Sequence, residues 1–147
     1  QHRAFHYLTG CHDRAGERGE RHAPDHQDSH MIVGTGIDII EIARIEQAIA
    51  RWGDHFLRYV FCDEEIQYAN KNKCPARHFA GRFAAKEAVF KAMEETLLPV
   101  GWKDIKILNR ENGKPYCEIN KPEFRHTIYL SISHSDNYAI ANAVITA

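Results

Sequence analysis

Asp38 and Glu87 are the two acidic residues whose neighbours suit them best to chemistry. Asp38 follows Gly34 and Gly36 and stands between Ile37 and Ile39; Glu87 lies in the run FAGRFAAKEAVFKA beside Arg82, Lys86 and Lys91. Glycines in a strand let a second backbone or a ligand approach closely. An isolated Asp in such a place is as often the N-cap of a following helix as a metal ligand. A second carboxylate makes Mg²⁺ attractive, because that ion takes one or two protein carboxylates, keeps several waters and bridges to substrate phosphates. Two acids among Arg and Lys fit a cleft for a cation and phosphates.

The elements that must position these residues can be read from periodicity. Ile32 to Ile40 is rich in β-branched residues and reads as a strand ending near Asp38. Ile42, Ile45 and Ile49 recur at helical spacing to about Arg51, with Glu41, Arg44 and Arg51 on the polar face. Trp52-Gly53-Asp54 breaks this helix, and Asp63, Glu64 and Glu65 place acids in the first turn of another short one. Pro75 opens the longest helical stretch, which runs until Pro99-Val100-Gly101 stops it. Beyond it, Asp104 to Leu108 and Pro115 to Ile119 read as strands around a two-residue Asn112-Gly113 hairpin. Thr127 to Ser133 and Tyr138 to Ile145 give two more, flanking His134-Ser135-Asp136-Asn137. The expected class is α+β, a long central helix packed against a small, mainly antiparallel sheet.

Projected at about 100° per residue, the long helix has two apolar sides. Phe79, Phe83, Phe90 and Met93 lie on one, and Ala84, Ala85, Ala88 and Ala92 on the other. Its charges are confined to two seams, one with His78, Arg82 and Lys86 and the other with Glu87, Lys91 and Glu94. Charges beside buried surface are costly unless paired or bound to something. Two readings stand side by side: ordinary ion pairs, or a cleft or subunit interface that binds phosphates and a cation.

Length and composition bound the alternatives. The 147 residues suit one domain with its own core. No apolar run approaches the roughly 20 residues of a membrane-spanning helix. A net charge of −1 offers no global field for nucleic acid. Cys11, Cys62, Cys74 and Cys117 form no C-x-x-C pair, so four idle thiols in a reducing cytoplasm are expected. Residues 1–30 hold six of the ten histidines without apolar periodicity and read as a disordered leader or appended segment. The fold is expected over residues 31–147, where 15 basic and 15 acidic residues balance.

Four segments, GTGIDIIEIARIE, FAGRFAAKEAVFKA, NGKPY and LSISHSDNYAIA, in this order and spacing, closely resemble the holo-[acyl-carrier-protein] synthase family, the small bacterial phosphopantetheinyl transferases. The resemblance spans Met31 to about Ile145. It implies the phosphopantetheinyl transferase fold and a homotrimer with active sites between subunits. It also implies Mg²⁺-dependent transfer of 4′-phosphopantetheine from coenzyme A to a serine of apo acyl carrier protein, releasing 3′,5′-ADP and supporting fatty acid biosynthesis.

By position, the resemblance makes Asp38 and Glu87 the Mg²⁺ ligands. Arg82, Lys86 and Lys91 become the basic residues around the nucleotide and phosphates, and His134 and Ser135 line the coenzyme A site. Arg44 and Arg51 face the acidic carrier protein. The proton acceptor stays open between a water held by Asp38 or Glu87 and His134. The chain departs from the family pattern at Cys62, which stands where a Thr usually opens the short helix; Asp63 is expected to cap a shifted start. Its basic loop is also thinner, with Lys71, Lys73 and Arg77 interrupted by Cys74 and Pro75. A non-catalytic module that binds acidic carriers through Arg44 and Arg51, or a different Mg²⁺-dependent phosphotransferase, is the competing reading.

Overall fold

The computed structural model describes residues 31–147; the predicted leader, with Cys11 and six histidines, lies outside the described residues. The chain runs β1 (Ile32–Glu41), α1 (Ile42–Trp52), α2 (Asp54–Val60), α3 (Asp63–Asn70) and α4 (Pro75–Met93). After two short 3₁₀ turns come β2 (Ile105–Asn109), β3 (Pro115–Ile119), β4 (Thr127–His134) and β5 (Tyr138–Thr146). β1, β5 and β4 form one antiparallel sheet in that order, and β2 and β3 form a separate antiparallel ribbon. The expected α+β class is present.

α4 is covered on two sides, as its two apolar faces require. Its alanine side meets the sheet: Ala84, Ala88 and Ala92 share a core with Leu130, Ala141, Ala143 and Ile145. Small side chains bring the helix close, and Gly34 and Gly36 of β1 bring it closer still. A β-carbon on either glycine would overlap a carbonyl oxygen of α4, that of Ala92 or Ala88. The phenylalanine side packs away from the sheet, with Phe79 5.1 Å from Phe61 and Phe83 stacked 5.1 Å from Trp102.

Several boundaries differ from the sequence expectation. β1 continues to Glu41, so Asp38 lies within the strand rather than at its end, and the N-cap of α1 is Glu41. α2 is additional; with seven residues it buries only Leu57 and Val60, too short a pattern to register as periodic. α4 stops at Met93, where a 3₁₀ turn leads into Leu97 in the left-handed region (φ 56°), short of Pro99. The β2–β3 connection is not a two-residue turn. Arg110 N–H donates to the Lys114 carbonyl at 2.9 Å and Gly113 adopts φ 82°, which makes a three-residue loop with glycine in the left-handed position. Cys62, not Asp63, is the N-cap of α3, and Glu65 supplies the capping interaction by accepting the Cys62 N–H at 3.0 Å.

Candidate active site

Asp38 owes its place to the row that begins with the two glycines. Residues two apart on a strand share a face, so Gly34, Gly36 and Asp38 all look toward α4. The glycines seat the helix against β1, and Asp38 is carried beside Glu87 and Lys91. Lys91 Nζ donates to the Ile37 carbonyl at 2.8 Å and pairs with Asp38 Oδ1 at 3.3 Å. The Glu87 carboxyl is pushed above the usual carboxylate range, first by burial and then by the negative charge of Asp38, with Lys91 acting in the opposite sense. A half-buried carboxyl beside a second carboxylate, with one exposed lysine to offset them, suits a small divalent cation. No larger group of three or more His, Cys, Asp or Glu residues able to hold a metal occurs among the described residues. The two acids are enough for Mg²⁺, whose other ligands are water and phosphate oxygens.

Arg82 belongs to a different cluster, on another flank of α4. It is 4% exposed, its guanidinium lies 4.1 Å over the Tyr68 ring, and Nη2 donates to Asn109 Oδ1. Its Nε is buried without a partner among the described residues. Arg82 opens onto a cleft of about 370 Å³ also lined by Glu64, Arg110 and Tyr116, and Arg110 lies 4.9 Å over the Tyr116 ring.

His134 forms a third group, at the N-terminal half of α4. Its Nε2 lies 3.2 Å from the Arg77 carbonyl, which can only accept, so Nε2 carries the hydrogen and Nδ1 is left as acceptor. Burial and the nearby Arg77 and Arg82 charges lower its pKa, although the Arg77 hydrogen bond acts the other way. His78, 6.4 Å away, is lowered as well, by burial first and then by Arg82, His134 and Arg77. Gly81 makes room for this imidazole, since a β-carbon there would sit 2.6 Å from His134 Nε2. Ser135 closes the β4–β5 turn, its hydroxyl accepting the Tyr138 N–H at 3.1 Å. Gly81 and Glu87 are six residues apart, about 9 Å along the axis and two-thirds of a turn around it. One chain therefore keeps the histidine group and the carboxylate pair on separate flanks.

Lys86 is a correction. Expected beside phosphates, it is a core residue with 0% exposure, paired with the equally buried Glu65 at 2.8 Å. Its ammonium also donates to the carbonyls of Val60 at 2.8 Å and Trp102 at 2.9 Å, which uses all three hydrogens. Sequence reading assigned no role in the site to Glu65, Tyr68 or Asn109, and placed His78 only as a member of a charged seam. For Glu65 the available signal was its helical spacing from buried Ala69, but three consecutive acids gave no reason to choose it over Asp63 or Glu64.

Arg44 and Arg51 are exposed on α1, at the edge of a groove of about 400 Å³ floored by Ile45, Trp52, Phe56 and Phe83. Among the described residues, Cys62, Cys74 and Cys117 are free; burial raises the Cys62 thiol and pushes Cys117 up to about 12, so both stay protonated and unreactive. No helix among the described residues is long and apolar enough to cross a membrane.

Comparison with known proteins agrees with this architecture. A family model described as the 4'-phosphopantetheinyl transferase superfamily matches residues 34–143. Holo-[acyl-carrier-protein] synthase of Protochlamydia amoebophila is 45% identical, over 78% of this chain and 98% of its own. That of Thermodesulfovibrio yellowstonii is 41% identical, over 79% and 100%. The crystal structure of the Bacillus anthracis synthase in complex with CoA (3',5'-ADP) has a TM-score of 0.68 at 37% identity, covering 80% of this chain and 98% of that one. The Helicobacter pylori synthase in complex with coenzyme A has a TM-score of 0.67 at 34% identity, over 76% and 98%. The chain belongs to the 4'-phosphopantetheinyl transferase superfamily and, within it, to the holo-[acyl-carrier-protein] synthase family of enzymes.

Proposed function

We propose that this enzyme moves 4′-phosphopantetheine from coenzyme A to a serine hydroxyl of an acyl carrier protein, with Mg²⁺ held by Asp38 and Glu87. The observation that carries this reading is the close seating of α4 on Gly34 and Gly36, which brings Asp38 beside Glu87 and Lys91; burial first, and then Asp38, raises the Glu87 pKa there. The donor set fits the ion, being oxygen only and two carboxylates in number. When bound, Mg²⁺ would orient the pyrophosphate and neutralise part of its charge.

The chain's own residues do the remaining work by positioning and by electrostatics, since phosphoryl transfer needs no covalent nucleophile from the protein. Lys91 and Arg82 hold phosphate oxygens, and His134 and Ser135 line the coenzyme A site. The serine oxygen attacks the β-phosphorus, the bond to the bridging oxygen breaks, and that oxygen leaves with its electron pair on 3′,5′-ADP. The serine proton passes to a water held by Asp38 or Glu87. His134 Nδ1, neutral and unengaged by Arg77, is the second acceptor, and it would have to reach the carboxylates from a neighbouring copy.

A homotrimer with shared sites agrees with that separation. The sheet face turned away from α4 exposes Ile37 (58%), Ile39 (61%) and Tyr129 (56%), with Ile140 opposite Ile39 in register. Such a face suits burial against further copies. Arg44 and Arg51, above an apolar groove, are positioned to meet an acidic carrier protein. Through that carrier the enzyme would support fatty acid biosynthesis, and its free cysteines agree with work in a reducing cytoplasm.

The test is to incubate apo carrier protein with coenzyme A and Mg²⁺ and measure its mass. A gain equal to phosphopantetheine, with 3′,5′-ADP as co-product, is expected. No gain while a known synthase works in parallel would reject the proposal.

A further inference from the structure

We infer that Glu65 and Lys86 are positioning residues for the coenzyme A half of the site: their buried ion pair sets the place of Arg82, and neither residue touches substrate. This rests on the reading of Arg82 as a phosphate ligand.

The pair joins six segments at one point. Lys86 of α4 reaches Glu65 Oε1 of α3 at 2.8 Å, the Val60 carbonyl at the end of α2 and the Trp102 carbonyl of the second 3₁₀ turn. Glu65 Oε1 accepts the Cys62 N–H of the α2–α3 link, and Oε2 accepts the Ile107 N–H of β2 at 3.3 Å. Both side chains are fully buried. A buried ion pair rarely stabilises a fold more than apolar residues of similar volume would. Its groups must instead meet in one geometry, which specifies how the elements sit against each other.

The Arg82 cluster is the next layer of the same three elements. Arg82 precedes Lys86 by four residues on α4, Tyr68 follows Glu65 by three on α3, and Asn109 follows Ile107 by two on β2. At those spacings each cluster member shares a face with its counterpart in the buried network. A slide or rotation of α3, α4 or β2 that the pair permitted would shift Tyr68 or Asn109 relative to the guanidinium. Arg82 Nε, buried and unpartnered among the described residues, keeps a donor for a ligand only while that geometry holds.

The double variant Glu65→Gln/Lys86→Met removes both charges at nearly constant volume. It is expected to fold with a lowered thermal midpoint, since the Val60 and Trp102 carbonyls lose their donor, and to raise the KM for coenzyme A about tenfold or more, the scale of losing residues that orient a ligand contact. The KM for carrier protein and the Mg²⁺ requirement should not move. Glu65→Gln alone should raise the coenzyme A KM as well. It should still fold, because the Gln amide has the volume of Glu and its oxygen can still accept from Lys86 and the Cys62 N–H. If Lys86 itself held phosphate, that variant would free its ammonium, and the KM would fall or stay constant. A folded variant of either kind with wild-type coenzyme A KM overturns the proposal.

Should neither variant fold, the wild-type complex with coenzyme A decides. Lys86 keeping Glu65, Val60 and Trp102 while Arg82 meets a phosphate supports the inference; Lys86 within hydrogen-bond distance of a phosphate overturns it. A wild-type protein that transfers no phosphopantetheine at all would instead remove the reading on which the inference rests.

Discussion

Gly36 and Ala88 are in direct backbone contact, with the Ala88 carbonyl oxygen occupying the space a β-carbon on Gly36 would need. The same strand row continues to Asp38, so this contact sets the depth at which the carboxylate meets α4. Gly36→Ala should therefore destabilise the fold by about 1–3 kcal/mol, the range for overpacking, or more because the obstacle is backbone. Activity should fall further than stability, through the displaced Asp38. Urea denaturation followed by transfer assays on the folded fraction checks both; a variant with wild-type stability would show that β1 and α4 are not held this closely.

In the proposed metal site, Glu87 would tie Mg²⁺ binding to pH. Its folded pKa is raised above the ordinary value of 4.5, so between that value and the raised one the native state binds more protons than the unfolded chain. The metal-free protein thus loses stability as pH rises through that window, and the loss persists at neutral pH. Glu87→Gln should make the metal-free protein as stable as wild type or more so at pH 7. It should also abolish stabilisation by added Mg²⁺ and lower activity at limiting Mg²⁺ by about tenfold or more. Melting curves with and without Mg²⁺ provide the readout, and an unchanged Mg²⁺ response would remove Glu87 from the metal site.

The two histidines act in the opposite direction. His78 and His134 have folded pKa values below 6.5, so below that pH the unfolded chain takes up protons that the native state resists. Stability present above pH 6.5 is lost as pH falls through the folded values. Arg77 and Arg82, the cations facing both rings, sharpen this loss. The double variant His78→Gln/His134→Gln should flatten the fall in thermal midpoint as pH drops below about 6.5. An unaltered acid limb would assign the pH dependence to other groups.

Arg44 and Arg51 lie at the groove edge and form no ion pair among the described residues, and Arg51 stacks 5.0 Å over Trp52. Replacing each with Ala should raise the KM for carrier protein, by about tenfold for the pair, and reduce its dependence on salt. The KM for coenzyme A and the thermal midpoint should stay near wild type. Equal effects on both substrates would place these arginines elsewhere than a carrier-docking surface.

Much of the fold was legible because its signals are local. The isoleucines of α1, the two-sided pattern of α4 and the alternating residues of β4 and β5 each repeat within one element, and each matches the structure to within a few residues. The failures are also physical. α2 has only seven residues, fewer than two helical repeats carry information, and the turn after Asn112 depends on a left-handed Gly113 whose register is set by strands on either side.

The candidate site divides along the same line. The sequence by itself determined the row Gly34, Gly36, Asp38 and the two charged seams of α4, because side-chain direction follows from the period of a strand or a helix. Only the tertiary structure decided which of those charges remain available. Lys86 and Lys91 each lie in a charged seam beside buried surface, yet one is enclosed by Glu65, Val60 and Trp102 while the other reaches Asp38 from the surface. Periodicity sets the direction in which a side chain leaves its helix; what it meets there depends on segments distant in the chain, and burial and pairing arise only when those segments pack.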